Sequence, residues 1–187
     1  MTEYPLDGTG AVPAAEIAAA WDRELPGVPT SSIGVITPLW RVAKALADER
    51  RRTLRRLGID PATLDLLSTL RRAGEPWTLT TRELAERCLV TAGAISQRVA
   101  RAEREGLVTR SPSTASRRAV SVMLTDRGHE VVRRAVRGLL AHEETLVANL
   151  APGERRVLGE LLEKLGEGVR GGGGRDVPLE PPARSRP

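Results

Sequence analysis

Residues 77–125 constrain the chain most, because their apolar periodicity switches from helical to alternating partway along. Thr80 or Thr81 can cap a helix running through Glu83, Leu84 and Ala85 to about Cys88. After a short break, Thr91 can cap a second helix that continues to Glu105 and is stopped by Gly106, a residue suited to a left-handed helix end. In this second helix Ile95, Val99 and Ala102 recur at i, i+4 and i+7, so they share a face that must pack on a core. Gln97, Arg101 and Arg104 fall on the opposite face, with Ser96 at its margin. Beyond Gly106, Leu107, Val108 and Thr109 predict a short strand, and Val120, Val122 and Leu124, alternating with Ser121 and Met123, predict its return partner. The polar SPSTASRR between them has no apolar side to bury. Two helices followed by a basic two-stranded hairpin predict a mainly α fold with a small β-wing: a winged helix-turn-helix with a helical dimerisation region.

The exposed side chains of such a unit suit DNA. The second helix fits the major groove, where Gln97 can pair bidentately with adenine and Arg101 or Arg104 with guanine. Ser96 and the hydroxyl of Thr91 suit phosphate or less discriminating contacts. Arg117 and Arg118, near the wing tip, can reach across the backbone toward the minor groove. Between Arg98 and Arg118 six arginines oppose two glutamates, which places four net positive charges of the chain's formal +5 in this one segment. Counterion release from phosphate requires such a patch, although charge alone fits any polyanion or a solvated surface. Order and spacing together favour DNA.

Length and composition narrow the class. At 187 residues the chain can hold one substantial core, and its sequence pI near 10.5 points to an acidic partner. The N-terminal MTEYPLDGTG is neither basic nor followed by a long apolar run, so the expected location is the cytoplasm. A single cysteine, Cys88, excludes an internal disulfide framework and reads as a small buried side chain. His129 and His142 lack the neighbours of a metal site, and no cofactor is indicated. With no nucleophile and base arrangement and no phosphate-cradling glycine loop, an enzyme is not expected.

The flanks suggest how the reading unit is held. Asp60 and Pro61 start a helix over ATLDLLSTLRRAG that supports it. Upstream, Ile36, Leu39, Trp40, Ala43, Leu46 and Ala47 make an apolar band on a helix of about 33 to 57, too extensive for one small domain to cover. Downstream, Thr125 begins a long helix carrying Val132, Val136, Leu139, Leu140, Leu146 and Val147. Pro152 opens a last one with Val157, Leu161, Leu162 and Leu165. A two-fold homodimer using these bands would set two reading helices about 34–36 Å apart and prefer a pseudo-palindromic operator. Periodicity equally permits the bands to close within one chain.

At this point the sequence resembles the multiple-antibiotic-resistance regulator (MarR) family over about 33 to 169. The strongest matches are TLDLLSTLRRAGEPWTLTTRELAERCLVTAGAISQRVARAEREGLVTR and SRRAVSVMLTDRG. The resemblance implies an obligate winged-helix homodimer, usually a repressor, whose DNA affinity a small ligand alters. Family wings commonly carry Asp, any residue, Arg. Here Ser116 takes the Asp position and Arg118 the Arg, which makes Arg118 the better minor-groove candidate. The expected organisation is an N-terminal extension over 1–30, the family domain over 33–169 and a disordered tail over 170–187, where Gly171 to Gly174 and the prolines cluster.

The extension narrows the resemblance. PAAEIAAAWDREL predicts an additional helix with Ile17, Trp21 and Leu25 along one face, and it is similar to the urate-responsive, PecS-like subgroup. The ligand signature of that subgroup maps onto Trp21, Asp65, Arg98 and Arg110. Trp21 can stack on a flat heteroaromatic anion, Arg98 and Arg110 can donate planar hydrogen bonds, and Asp65 can accept from a ring N–H or hold an arginine. Each residue also has an ordinary reading: Trp21 as a helix anchor, Asp65 near solvent off the Leu64, Leu67 and Leu70 stripe, and Arg110 on phosphate. The expected function is a repressor released from its operator by urate, xanthine or another small anion. A constitutive architectural DNA-binding protein without an effector is the alternative.

Overall fold

The computed structural model describes residues 12–112 and 119–171. It contains α1 (Ala14–Glu24), α2 (Ile33–Leu57), α3 (Pro61–Arg72), β1 (Thr78–Thr80), α4 (Thr81–Arg87), α5 (Ala92–Arg104), β2 (Val108–Pro112), β3 (Val120–Leu124), α6 (Asp126–Leu146) and α7 (Pro152–Gly171). The chain divides into a larger unit ending at His142 and a smaller one beginning at Glu143.

The core of the larger unit forms around α3. Leu66, Leu67 and Leu70 are fully buried, as are Leu84 of α4 and Ile95 of α5. Val99 and Ala102, the predicted companions of Ile95, are also buried. Val122 and Leu124 of β3 and Val132, Ala135 and Leu139 of α6 complete the same cluster. Burial is the main stabilising term here, because each of these leucines or valines contributes about 1.5–3 kcal/mol when removed from water.

Local chemistry sets the helix ends. The Asp60 side chain accepts hydrogen bonds from the backbone N–H groups of Ala62 and Thr63, at 3.1 and 3.0 Å, with Pro61 in the first turn. Thr80 and Glu83 form a reciprocal capping box on α4. Thr91 caps α5 by accepting from the Ala94 N–H at 3.2 Å. Three helices end on a residue with positive φ, each followed by an N–H that reaches back into the last turn. These residues are Gly58 after α2, Gly106 after α5 and Leu89 after α4. Leu89 is the exception in kind, a leucine at φ 53 with 91% of its surface exposed, in the turn between the two helices of the reading motif. Left-handed backbone costs a residue with a Cβ about 1–2 kcal/mol.

The structure corrects the expected two-stranded hairpin to a three-stranded antiparallel sheet of order β1-β3-β2. Thr78, Leu79 and Thr80, of which the sequence singles out only Thr80, as a helix cap, pair with Met123, Val122 and Ser121. Strand β2 also extends past Thr109, with Ser111 opposite Ser121 and Pro112 opposite Val120, so these two residues, expected in the polar tip, belong to the sheet. Leu66, outside the predicted stripe, is buried because α3 packs against α4, α5 and β3 rather than on one side only. Ser116, Arg117 and Arg118 lie outside the described residues, as do residues 1–11 and 172–187.

The apolar band of α2 remains largely uncovered in the single chain. Trp40 is 56% exposed, and Ile36 and Leu46 are exposed with it. Helix α1 packs on α2, with Ile17 half-buried and Trp21 and Leu25 half exposed. The Arg41 guanidinium donates to the Val12 carbonyl at 2.8 Å and helps hold the extension in place. In the smaller unit, Arg155 bonds Glu144 and the Leu150 carbonyl, and α7 exposes Val157, Leu158, Leu161 and Leu162.

The joint between α5, β2 and α6 leaves no room for a side chain at Gly128. Thr125 donates its N–H to the Leu107 carbonyl and its hydroxyl to the Gly106 carbonyl, drawing the start of α6 onto the end of α5. A Cβ at Gly128 would stand 2.0 Å from that Leu107 carbonyl oxygen, a backbone atom held in the sheet region. At Gly138 the nearest obstacle is instead the flexible end of Leu57, at 2.8 Å. Gly128→Ala is therefore expected to lower unfolding free energy by at least about 2 kcal/mol in urea titrations, and Gly138→Ala by distinctly less.

Candidate nucleic-acid interface and anion site

The N-terminal half of α5 presents the outward polar set expected for reading a groove. Thr91, Ser96 and Gln97 are exposed, opposite Ile95 and Val99. The Thr91 oxygen is occupied as a cap acceptor, while its O–H remains able to donate to phosphate. Toward the other end of the helix Arg101 is exposed but already engaged: it lies 2.9 Å from Glu105 and 3.3 Å from Asp60. Arg104 is exposed and makes no hydrogen bond or ion pair among the described residues. Asp60 thus caps α3 and holds α5 at once. Burial alone would raise its carboxyl, but hydrogen bonds from Thr63 and the Arg101 charge hold it below the usual carboxylate range.

A second bridge joins the same two helices. Arg98 of α5 donates to Asp65 of α3 at 2.9 Å, with the two side chains 26% and 41% exposed. Asp65, off the leucine stripe and partly exposed, is thus engaged by an arginine. Beside the bridge, the Cys88 thiol donates to the Thr69 hydroxyl oxygen at 3.6 Å, and burial pushes its pKa up, which disfavours the thiolate. The other two signature residues are placed differently. Arg110 on β2 pairs with Glu103, whose carboxyl it holds below its ordinary value. Trp21, 49% exposed on α1, makes no hydrogen bond with Asp65, Arg98 or Arg110 among the described residues.

Comparison with known proteins gives this geometry a family. A profile of the MarR family matches residues 57–119. The HTH-type transcriptional repressor of Mycobacterium bovis is 32% identical over 128 residues, covering 68% of this chain and 90% of the relative. The chain belongs to the MarR family. PecS of Dickeya dadantii, an HTH-type transcriptional regulator, is 25% identical over 150 residues, 80% of this chain and 90% of that protein. A MarR family transcriptional regulator from Streptomyces coelicolor, solved in complex with DNA, superposes with a TM-score of 0.61 at 31% identity over 72% of this chain and 87% of that one. These relatives are transcriptional regulators rather than enzymes, and this MarR-family chain is a DNA-binding transcriptional regulator with a winged helix-turn-helix fold. Among its described residues no helix is long and apolar enough to cross a membrane, and no group of three or more His, Cys, Asp or Glu could hold a metal ion.

Sequence reasoning missed the buttress under the reader of this MarR-family protein. The Arg71 guanidinium lies 5.1 Å from the centre of the Trp77 ring and donates to His129 Nδ1 at 2.8 Å, while the Trp77 and His129 rings meet edge to face at 4.5 Å. The end of α3, the approach to β1 and the first turn of α6 are joined there. Arginine only donates, so Nδ1 must accept and the imidazole must be neutral. Burial first, and then the Arg71 charge, lower the His129 pKa below its ordinary 6.5, with Asp126 opposing. As pH falls, the unfolded chain takes up this proton before the folded chain does. The contribution to stability is complete above pH 6.5 and is lost as pH drops through the lower folded value. Urea midpoints measured across that interval are expected to fall with pH in the wild type and to fall less in His129→Gln.

Proposed function

We propose that this regulator is a homodimeric repressor that leaves a pseudo-palindromic operator when it binds urate or a related small planar anion. The reading rests on the Asp65–Arg98 bridge, a half-exposed carboxylate–guanidinium pair linking the recognition helix to its supporting helix. An anion competes with Asp65 for Arg98 and leaves the Asp65 carboxylate facing a second negative charge. Because Arg98 sits on α5 without belonging to its outward set, rearrangement of the pair tilts the helix while leaving Thr91, Ser96 and Gln97 intact as base and phosphate contacts. Arg101, Arg104, Arg117 and Arg118 supply further charge toward DNA. Trp21 and Arg110 join the pocket when the ligand gathers them, Arg110 by exchanging Glu103 for the anion. Similarity to PecS supports the choice of ligand class.

Dimerisation draws support from the apolar side chains left in water by one chain, with Trp40, Val42 and Leu46 on α2 and Leu161 and Leu162 on α7. Such patches mark association surfaces. Two copies related by a two-fold axis would present paired recognition helices to successive major grooves. The ligand must bind the DNA-incompetent arrangement more tightly, since equal affinity for both arrangements shifts nothing.

Mobility shifts on DNA beside the protein's own gene test the proposal. Saturating urate is expected to weaken operator binding by about tenfold or more, within the usual range of allosteric coupling. Trp21→Phe and Arg98→Ala are expected to blunt that response. Sequence-specific binding that no small anion alters would instead identify a constitutive architectural protein. An unchanged ligand titration in both variants would remove the pocket.

A further inference from the structure

A different cleft carries a further inference, independent of the Asp65–Arg98 site. It lies where the start of α3, the end of α5 and the first turns of α6 converge, with a cavity volume of about 570 Å³, within the usual range of small-molecule sites. Its walls are mainly charged. Arg101 and Arg104 enter from α5 at i and i+3, and Arg127 and Arg134 from α6 at i and i+7. Two carboxylates, Asp60 and Glu105, also line it, and both are already paired with Arg101. Arg104, Arg127 and Arg134 make no hydrogen bond or ion pair among the described residues. Four guanidinium groups against two carboxylates leave this concave site a net charge of +2, which attracts an anion.

We infer that this cleft binds a small polyanion carrying at least two phosphate or carboxylate groups, held by Arg104, Arg127 and Arg134. A diphosphate or tricarboxylate matches the positive charge and can offer guanidinium groups on the two helices separate oxygen pairs. The apolar floor is small, limited to Ile59, Leu107 and Val131, so charge rather than ring stacking selects the ligand. Arg101 also lines the cleft, and the occupant competes with Asp60 for it. The arginines are solvent-accessible, and the affinity falls as salt is raised.

The phosphate groups of a metabolite and those of a DNA backbone share this chemistry, and the test separates them. Inorganic pyrophosphate is titrated calorimetrically into the full-length protein at low ionic strength. We expect one saturable site per chain. The double variant Arg127→Ala/Arg134→Ala is expected to lose at least tenfold in affinity. The double variant Arg133→Ala/Arg137→Ala removes the same charge from the same helix, outside the cleft, and is expected to bind as the wild type does. Arg127→Lys/Arg134→Lys keeps the charge and is expected to retain part of the affinity, which separates loss of the site from loss of the fold. Equal weakening by the two alanine pairs would overturn the proposal in favour of general charge attraction. Unchanged pyrophosphate binding in Arg127→Ala/Arg134→Ala, accompanied by weaker operator binding, would assign the cleft to the DNA backbone and overturn it too.

Discussion

The packing of α3 against α5 carries the rest of the molecule. Leu66, Leu67 and Leu70 have no exposed surface, and Ile95 and Val99 close against the same cluster. Apolar burial supplies the strength, and interdigitated side chains hold the recognition helix against its support. Two carboxylate–guanidinium bridges tie the same helices at their surface, Asp65 with Arg98 and Asp60 with Arg101. Exposed pairs of this kind add only about 0–1 kcal/mol each to stability. Their small worth makes them suitable as adjustable contacts, since an anion can displace one without unfolding what the leucines hold.

Arginine serves several purposes in this chain, and the nearest acid or ring decides which. Arg98 and Arg101 brace α5, Arg110 is held by Glu103, and Arg71 lies against an indole ring while bonding an imidazole. Arg104, Arg127 and Arg134 make no hydrogen bond or ion pair among the described residues and are left for an external anion. A high pI therefore does not describe one continuous DNA-binding surface. Part of the positive charge is spent internally on orienting helices, and part is gathered into a cleft beside the reader.

Apolar surface is divided in a similar way. The larger unit buries Leu66, Leu67 and Leu70 of α3, Ile95 and Val99 of α5 and Val122 of β3 but leaves much of α2 in water, including Trp40. The contrast has a simple origin: α3 meets neighbours on several sides, while the exposed stripe of α2 has α1 as its packed companion. A second copy of the chain is the natural cover for such a stripe, and it would also set the distance between two reading helices.

Features that depend on neighbouring residues were legible in the sequence. Thr91 and Asp60 cap helices because their side chains reach N–H groups two or three residues away, Gly106 ends α5 because it tolerates positive φ, and the Ile95, Val99 and Ala102 face follows from helical period. Features that depend on residues distant along the chain were not. Nothing local in Thr78–Thr80 announces a third strand, because its hydrogen bonds come from β3 more than forty residues away. The leucine stripe of α3 could not announce the burial of Leu66, since a helix covered on several sides no longer obeys a single-face pattern. Composition could supply Asp60, Asp65 and the arginines, but which carboxylate meets which guanidinium is decided only when α3, α5 and α6 pack, because an ion pair depends on distance in space and the sequence records only distance along the chain.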